Sequence, residues 1–388
     1  MFARMERLAI EGGKPVSERK IPIAKPLFTE ETLRRIREVL ESGILCHGPL
    51  TEQFEEEFRR RVGAEYAFAV SSGTAALHVV FMSLLKPGDE VIVPVFTFVS
   101  TASTVVLSGG KPVFADIDEE TLTIDPVDVE RKITRRTKAI VPVHLFGNAA
   151  RMKELIEIAE DHGLYLVNDA AQAHGTRIHG KDVGAYRDAA CYSFYPTKTL
   201  TTGEGGMVTT LGKEIYEAGR MLRNHGQETR YRSVRLGLNY RMTEIAAAIG
   251  LEQLRMLDEF LLKRRRNAEY LMKGLEEIDG LEPQKTTEGA EHSYSYFTVQ
   301  MDLEKFRCTR DEFVRAMNAE NIECIVYYPT PLSKQPALRR YARTRCPVAE
   351  KVCGRVLSLP VHPGLSGEDL EKILEGIRKV SAHYARHE

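Results

Sequence analysis

The chain carries almost no net charge. Of its 388 residues, 54 are Lys or Arg and 55 are Asp or Glu, which gives a formal net charge of -1. Proteins that attract nucleic acid or an anionic membrane surface through a global field need a clear excess of positive charge. The composition therefore predicts neither a nucleic-acid partner nor a membrane partner.

Long uninterrupted apolar runs are also missing. The apolar stretch from residue 67 to 85 is broken by two serines, a glycine and His78, so it is no candidate for a membrane span. Residues 1–13 lack the apolar centre of a signal peptide. We therefore expect a cytoplasmic protein.

Paired cysteines of the metal-binding type do not occur. The six cysteines are scattered without C-x-x-C spacing: Cys46, Cys191, Cys308, Cys324, Cys346 and Cys353. This predicts reduced thiols and no metal site. Neither a G-x-G-x-x-G after the first strand nor a G-x-x-x-x-G-K-[ST] is present, so both common nucleotide fingerprints are absent.

What the chain does contain is an alternation of short apolar runs and amphipathic segments between about residues 65 and 210. The runs predict seven strands: Tyr66–Val70, Glu90–Pro94, Pro112–Asp116, Lys138–Val143, Leu164–Asp169, Ala190–Phe194 and Met207–Thr210. Segments such as Thr74–Leu85 and Arg151–His162 predict helices between them. Buried strands separated by helices favour a mostly parallel sheet in an α/β fold.

A second, smaller α/β domain is predicted after about residue 260. Helix-like stretches cover residues 242–262 and 259–278, and a polar loop follows residue 280. We place a large domain at residues 20–260 and a small C-terminal domain at residues 261–388. The basic run Lys263–Arg266 is interpreted as a solvated helix face.

Lys198 is the most informative residue of the sequence. It follows the apolar run from 189 to 194 and precedes the glycine-rich segment 203–206. An amine held at the mouth of a sheet can lose its proton and attack an aldehyde, because burial disfavours the ammonium form. The alternative is that Lys198 is one solvated cation among the many lysines and arginines of the chain.

Two further features are expected at the same sheet edge, where the ends of parallel strands meet. Ser71–Thr74 begins a helix, and small residues with free N–H groups favour an anion such as phosphate. An ordinary helix cap is the alternative. Asp169 ends an apolar run, and a carboxylate there needs a cation as partner, either a protonated pyridine nitrogen or an arginine.

An amine, a carboxylate and a phosphate site are what pyridoxal phosphate (PLP) requires. Phe96 and Phe98 follow the strand ending at Pro94, and either can pack against the cofactor ring or belong to the core. Ser193 lies five residues before Lys198.

Five segments resemble the DegT/StrS family of PLP-dependent sugar aminotransferases, which have the aspartate-aminotransferase fold: 72–77, 169–175, 193–198, 203–206 and 239–242. The similarity extends from Ile21 to Pro360. It implies a three-layer α/β sandwich around a mostly parallel seven-stranded sheet. Some family members are dehydratases with histidine at the lysine position, so Lys198 indicates transamination.

The resemblance also implies roles for individual residues. Lys198 would bind the cofactor covalently, Asp169 would contact the pyridine nitrogen, and Gln172 would lie near the ring hydroxyl. The remaining implied contacts are Gly73, Thr74 and Ser193 to the phosphate, Phe98 stacked on the ring, and Asn239 reaching the phosphate from the second subunit of a homodimer.

The expected reaction transfers an amino group from glutamate or glutamine to a keto-sugar, most simply a nucleotide-linked one. A keto-inositol is an alternative acceptor, because residues 8–15 are loosely similar to cyclitol aminotransferases. A regulatory protein that kept the fold without catalysis is a further alternative.

One segment departs from the family pattern. Relatives often have His-Tyr followed by Pro-Leu-His, whereas residues 326–333 read VYYPTPLS, with Tyr327 and Ser333 in place of histidines. This affects the expected substrate pocket and leaves the cofactor site unchanged. His174 is expected near the cofactor, and His144 is expected to be structural.

Overall fold

The computed structural model describes residues 7–386. Eleven α-helices occur in this part of the chain: α1 (Glu30–Ser42), α2 (Pro49–Val62), α3 (Gly73–Leu84), α4 (Ser100–Leu107), α5 (Pro126–Arg131), α6 (Met152–Asp161), α7 (Lys213–Leu222), α8 (Glu244–Leu275), α9 (Arg310–Ala319), α10 (Pro347–Cys353) and α11 (Gly367–Tyr384).

The strands, in chain order, are β1 (Tyr66–Val70), β2 (Glu90–Pro94), β3 (Lys111–Ala115), β4 (Thr137–Ile140), β5 (Tyr165–Asp169), β6 (Arg177–Ile178), β7 (Lys181–Asp182), β8 (Ala189–Ser193), β9 (Gly206–Thr210), β10 (Gln227–Thr229), β11 (Arg232–Ser233), β12 (Leu281–Pro283), β13 (Ala290–Glu291), β14 (Phe297–Met301) and β15 (Val356–Leu359).

The central sheet has seven strands in the order β1-β9-β8-β5-β4-β2-β3. Strand β9 pairs antiparallel with β1 and β8, whereas the other neighbouring pairs are parallel. Antiparallel neighbours can be joined by a short loop, while parallel ones need a crossover. The loop from residue 194 to 205 joins β8 to β9 and carries Lys198.

Both faces of this sheet are buried. In β2, Val91 and Val93 pack into one apolar cluster together with helices α3 and α4, while Ile92 between them packs into a second cluster with helices α2 and α6. Successive side chains of a strand point to opposite faces. Helices therefore cover the sheet on both sides, which confirms the predicted three-layer α/β sandwich.

All seven predicted strands are present, and their ends differ by up to three residues. The largest difference is at β4, predicted as Lys138–Val143 and observed as Thr137–Ile140. Pro142 follows two residues after the observed end, and proline has no N–H to donate to the ladder. The predicted helices at 242–262 and 259–278 form one continuous helix, α8.

A smaller α/β unit is built on the antiparallel sheet β12-β14-β15. Its apolar cluster joins α9 and α11 to the second half of α8, and Leu8, Val16 and Ile21 from the start of the chain belong to it. The buried Glu320 carboxylate accepts hydrogen bonds from the backbone N–H groups of Ala9 and Val16. The domain division at residues 260/261 stays a prediction.

One residue of the basic run on α8 does not lie on a solvated helix face. Lys263 and Arg266 are exposed, but Arg264 is buried and its guanidinium donates to the backbone carbonyls of Tyr294 and Ser295. The solvated-face interpretation is therefore wrong for Arg264. Its position on the helix turns it toward the small sheet, and carbonyl oxygens stand in for water around the charge.

Across residues 7–386, helix length and apolarity nowhere reach what a membrane crossing requires. The same part of the chain brings no three His, Cys, Asp or Glu side chains together as a metal site.

Candidate active site

One cavity lies at the edge of the central sheet where the parallel strands end. Its volume is about 740 Å³. Seven of the eight residues predicted from the sequence line it: Gly73, Thr74, Phe98, Asp169, Gln172, Ser193 and Lys198. They come from segments up to 125 residues apart (198 − 73), and the sheet topology brings them together.

The first turn of α3 forms one end of the cavity. The side chain of Ser72 caps the helix by accepting a hydrogen bond from the backbone N–H of Ala75, at 3.1 Å. A Cβ on Gly73 would lie 2.6 Å from the Cβ of Ser193, so only glycine fits there. The helix N-terminus, with the adjacent Ser193 hydroxyl, can hold an anion such as phosphate.

Thr74 extends this anion-binding end with a second hydroxyl. Its Oγ1 lies 2.8 Å from Oγ of Ser100, at the start of α4. Ser100 also lines the cavity, although the sequence analysis did not select it. Ser72 is therefore a helix cap, as in the alternative interpretation, and its neighbours face the cavity, where the phosphate site stays a prediction.

Asp169 is the last residue of β5 and is 5% exposed. Its Oδ2 accepts a hydrogen bond from Oγ1 of Thr101 at 2.8 Å, and its Oδ1 accepts one from the backbone N–H of Ala171 at 3.2 Å. Burial raises the pKa of this carboxyl, while these two hydrogen bonds and the charge of Lys198 act in the opposite direction. No arginine is paired with it among the described residues, which removes the structural alternative.

Lys198 lies half-buried in the loop between β8 and β9. The turn is fixed by the backbone N–H of Lys198 donating to the carbonyl of Tyr195, and by Thr201 Oγ1 donating to the carbonyl of Phe194, both at 2.9 Å. Its Nζ lies 5.9 Å from the centre of the Tyr296 ring. The solvated-cation alternative does not fit this position, because the amine lines the same cavity as Asp169.

Gln172 and Phe98 lie on the remaining sides of the cavity. Gln172 accepts a hydrogen bond from the backbone N–H of Phe146 at 2.6 Å and donates to the Tyr328 hydroxyl at 3.2 Å. Phe98 is 53% exposed, with its ring open to the cavity. Phe96 is buried and packs edge-on against Phe146, so of the two candidate phenylalanines it is the core residue.

The eighth predicted residue, Asn239, is exposed and does not line the cavity of its own chain. It forms an isolated antiparallel bridge with Asn224. Its expected contact with a cofactor in a second subunit stays a prediction.

Three tyrosines form one wall of the cavity: Tyr327 and Tyr328 lie in the segment expected at the substrate pocket, whereas Tyr296 was not selected from the sequence. Tyr296 precedes β14, and Tyr327 and Tyr328 come from the departing segment, so this wall belongs to the smaller unit. The ring centres of Tyr296 and Tyr327 are 4.6 Å apart. Burial raises the pKa of the Tyr327 and Tyr328 hydroxyls, which keeps both protonated at neutral pH. Ser333 does not line the cavity.

Both histidines singled out in the sequence are buried. His144 is structural, as predicted: its Nδ1 accepts from the backbone N–H of Ala150, and its Nε2 faces Oδ1 of Asn168 at 3.2 Å. His174 lies against the rings of Tyr192 and Phe194 and does not line the cavity. Burial, together with the charge of Lys198, lowers the pKa of His174 to about 3, so this ring lies behind the cavity wall within reach of the lysine, and its place near the cofactor stays a prediction.

Known proteins resemble this chain along nearly their whole length. A profile of the DegT/DnrJ/EryC1/StrS aminotransferase family matches residues 26–378. Over 377 residues the chain is 38% identical to the spore coat polysaccharide biosynthesis protein SpsC of Bacillus subtilis (strain 168), covering 93% of this chain and 97% of that protein.

A second relative is the UDP-N-acetyl-3-dehydro-alpha-D-glucosamine 3-aminotransferase of Acidithiobacillus ferrooxidans, 38% identical over 352 residues, with 90% of this chain and 94% of that protein covered. Among solved structures, S. venezuelae DesV superposes with a TM-score of 0.88 at 36% identity, over 95% of this chain and 100% of that chain. The chain thus belongs to the DegT/DnrJ/EryC1/StrS aminotransferase family.

Proposed function

We propose that this enzyme uses PLP to transfer an amino group from glutamate or glutamine to a nucleotide-linked keto-sugar. The observation that carries the proposal is the meeting of Lys198, Asp169 and the Gly73 turn in one cavity. An amine, a buried carboxylate and an anion-binding helix end are the three features that PLP needs from a protein.

The phosphate would be held at the start of α3. A side chain at position 73 would collide with Ser193, so the glycine keeps the backbone N–H groups of this turn accessible. The hydroxyls of Thr74 and Ser193 line the same end of the cavity and can donate to phosphate oxygens. The residues present therefore fit the phosphate of PLP.

The ring would lie between Phe98 and the end of β5. Asp169 is buried and forms no ion pair within the described part of the chain, and a protonated pyridine nitrogen would neutralise it. Phe98 presents an open ring face for stacking. Gln172 lines the cavity beside them and can contact the ring hydroxyl through its amide.

When bound, PLP supplies an aldehyde that accepts the amino group and a ring that withdraws electrons from the reacting carbon. The side chains of the protein carry out the proton transfers. The Nζ of Lys198 takes up the proton from the α-carbon of the amino donor. In the second half of the reaction it returns a proton to the acceptor carbon that gains the amino group.

Two observations support the proposed acceptor: the name of one relative and the side chains that line the cavity. The Acidithiobacillus ferrooxidans relative carries a keto-sugar linked to UDP in its name. The hydroxyls of Tyr296, Tyr327 and Tyr328 provide hydrogen-bonding groups together with aromatic faces, which suit the hydroxyl groups and C–H faces of a sugar ring.

We further propose a homodimer in which Asn239 of each chain reaches the phosphate in the other. Asn239 is exposed and is not among the residues that line the cavity of its own chain, which is compatible with this role. The cytoplasmic location stays a prediction from the sequence.

The proposal is tested by separating the two halves of the reaction. PLP-loaded protein is mixed with glutamate or with glutamine while the visible absorbance of the cofactor is followed. The aminated form is then isolated and offered keto-hexoses linked to UDP, GDP or dTDP, and, in parallel, scyllo-inosose. Products are identified by mass spectrometry.

We expect the donor to remove the visible band and a nucleotide-linked keto-sugar to restore it with formation of an amino sugar. Restoration by scyllo-inosose alone would replace the proposed acceptor with a keto-inositol. If neither donor changes the absorbance, the amino-donor assignment is wrong.

A further inference from the structure

Thr101 is in direct contact with the carboxylate that defines the site. Its Oγ1 lies 2.8 Å from Oδ2 of Asp169, and its side chain is 0% exposed. A carboxylate that is ionised can only accept hydrogen bonds, so the proton in this contact belongs to Thr101. Thr101 therefore donates to Asp169 whenever Asp169 is charged.

A second threonine hydroxyl contacts the hydroxyl of Thr101. Oγ1 of Thr97 lies 3.1 Å from Oγ1 of Thr101, and Thr97 is 3% exposed. A hydroxyl has a single proton, and that of Thr101 is directed to Asp169, so Thr97 must be the donor between the two threonines. The three side chains form a directed chain, from Thr97 to Thr101 to Asp169.

We propose that Thr101, supported by Thr97, is a positioning residue that keeps the Asp169 carboxylate ionised and turned toward the ring nitrogen of the cofactor. The inference rests on the proposed function, because it assigns these threonines a task only if PLP occupies the cavity. It adds two residues of this chain to the site: both line the cavity, and both are proposed to act through Asp169.

The reason for such support is the burial of Asp169. A carboxylate out of contact with water tends to take up a proton, and a neutral carboxyl would not hold a protonated pyridine nitrogen. The titratable groups that act on Asp169 or feel its charge are Lys198, Cys191 and Tyr328. Of these only Lys198 is a cation, and its amine is engaged in the reaction.

The segment of residues 97–101, which contains both threonines, also contacts the phosphate end of the cavity. Ser100, adjacent to Thr101 in the first turn of α4, contacts Thr74. Phe98 lies between Thr97 and this turn and faces the cavity. Residues 97–101 thus contact both ends of the cofactor site, which gives a reason for their hydroxyl-rich sequence that helix formation alone does not provide.

The test uses holoenzyme reconstituted with PLP labelled with ¹⁵N in the ring. The variants are Thr101→Val, which keeps the shape and removes the hydroxyl, Thr101→Ser, which keeps the hydroxyl, and Thr97→Val. Thr209→Val is the matched control, since its buried hydroxyl donates to the carbonyl of Gly184 away from the cavity. The ring ¹⁵N chemical shift is recorded against pH, and the PLP dissociation constant is measured from the visible absorbance.

We expect Thr101→Val to lose the ring-nitrogen proton at lower pH than wild type and to bind PLP about tenfold more weakly, the value of one hydrogen bond to a charged group. Thr97→Val should also lower the pH at which the ring nitrogen loses its proton and weaken PLP binding, in each case by less than Thr101→Val does. Thr101→Ser and Thr209→Val should resemble wild type.

Unchanged ¹⁵N titration and PLP affinity in Thr101→Val would overturn the inference while leaving the proposed function intact. If Thr101→Val does not fold, Thr97→Val decides in the same way: a lowered ring-nitrogen pKa supports the inference, and an unchanged one overturns it. Wild-type protein that binds no PLP would overturn the proposed function and the inference together.

Discussion

The hydroxyls of Thr197 and Tyr296 lie 2.6 Å apart, although the two residues are 99 positions apart in the chain. Thr197 precedes Lys198 in the loop between β8 and β9, and Tyr296 precedes β14 of the smaller unit. Tyr296 is 3% exposed and Thr197 is half-buried, so this hydrogen bond is partly shielded from water. It joins the smaller unit to the loop that presents the lysine amine.

Removing the Tyr296 hydroxyl should therefore disturb the placement of Lys198. We expect Tyr296→Phe, which keeps the ring, to lower kcat about five- to tenfold, the value of one hydrogen bond, and to raise the KM for the acceptor, because the same hydroxyl lines the acceptor side of the cavity. Steady-state kinetics with the preferred acceptor measure both constants. Tyr270→Phe, on an exposed position of α8, is the control and should leave kcat unchanged.

The link between the two residues can be tested directly by a double-mutant cycle. Thr197→Val and Tyr296→Phe together should cost less than the sum of the single effects, because both remove the same hydrogen bond. Additive effects would show that the two hydroxyls act independently.

Asp169→Asn keeps the size of the side chain and removes its charge. An amide cannot neutralise a protonated ring nitrogen, so we expect kcat to fall roughly a hundredfold, equivalent to about 3 kcal/mol of electrostatic stabilisation. Single-turnover kinetics with glutamate measure the loss. A variant that retains full activity would remove Asp169 from the proposed site, and Asp161→Asn, at the end of α6, is the matched control for the substitution.

The Glu244 carboxylate holds the start of α2. It accepts hydrogen bonds from the backbone N–H groups of Gly48, Leu50 and Thr51 at 2.8 to 2.9 Å and is 3% exposed. Glu244→Gln removes the charge and one acceptor oxygen, which should lower the free energy of unfolding by about 1–3 kcal/mol. Urea unfolding measures the change.

Glu259→Gln is the matched control for this prediction. Glu259 lies on the same helix and pairs with Lys263 on the surface, where an ion pair contributes little. Equal stability losses in the two variants would contradict the role of Glu244 as a buried cap.

Because several histidines are buried, we expect the folded protein to lose stability in acid. Burial lowers the pKa of His144 to about 4 and that of His292 to about 3. In the unfolded chain both titrate near their ordinary value, so below about pH 6.5 the unfolded state binds more protons than the folded state. Stability is then lost as the pH falls from about 6.5 toward 4, by about 2 kcal/mol for each histidine at pH 5.

Urea unfolding at pH 7 and pH 5 checks this prediction. His292→Gln should reduce the difference between the two pH values, whereas His162→Gln, an exposed position at the end of α6, should not. The prediction is contradicted if His292→Gln keeps the full wild-type difference.

The seven strands, the family and the aminotransferase class were predictable from the sequence, and the structure and comparisons confirm them. The reason is that strand periodicity and the segments around Gly73, Asp169 and Lys198 are local signals. Seven of eight predicted site residues line one cavity because each ends or follows a strand of the same mostly parallel sheet. The hydroxyl residues Thr97, Ser100 and Thr101 follow β2 in the same way, so this signal was available for Thr101 as well.

Other parts of the site depend on contacts that no local pattern contains. Tyr296 reaches the cavity only because the smaller unit packs against the loop of Lys198. Arg264 is buried because its turn of α8 faces the backbone carbonyls at residues 294 and 295, which a run of four basic residues does not indicate. Such placements follow from tertiary packing between distant segments.

The central claim is that Lys198 is the residue to which PLP binds covalently. PLP-loaded protein is reduced with borohydride, digested, and analysed by mass spectrometry for the lysine that carries the reduced cofactor. The account predicts one modified peptide, containing Lys198, and none from Lys198→Ala treated in parallel. Modification of a different lysine in the wild-type protein, with Lys198 unmodified, would contradict it.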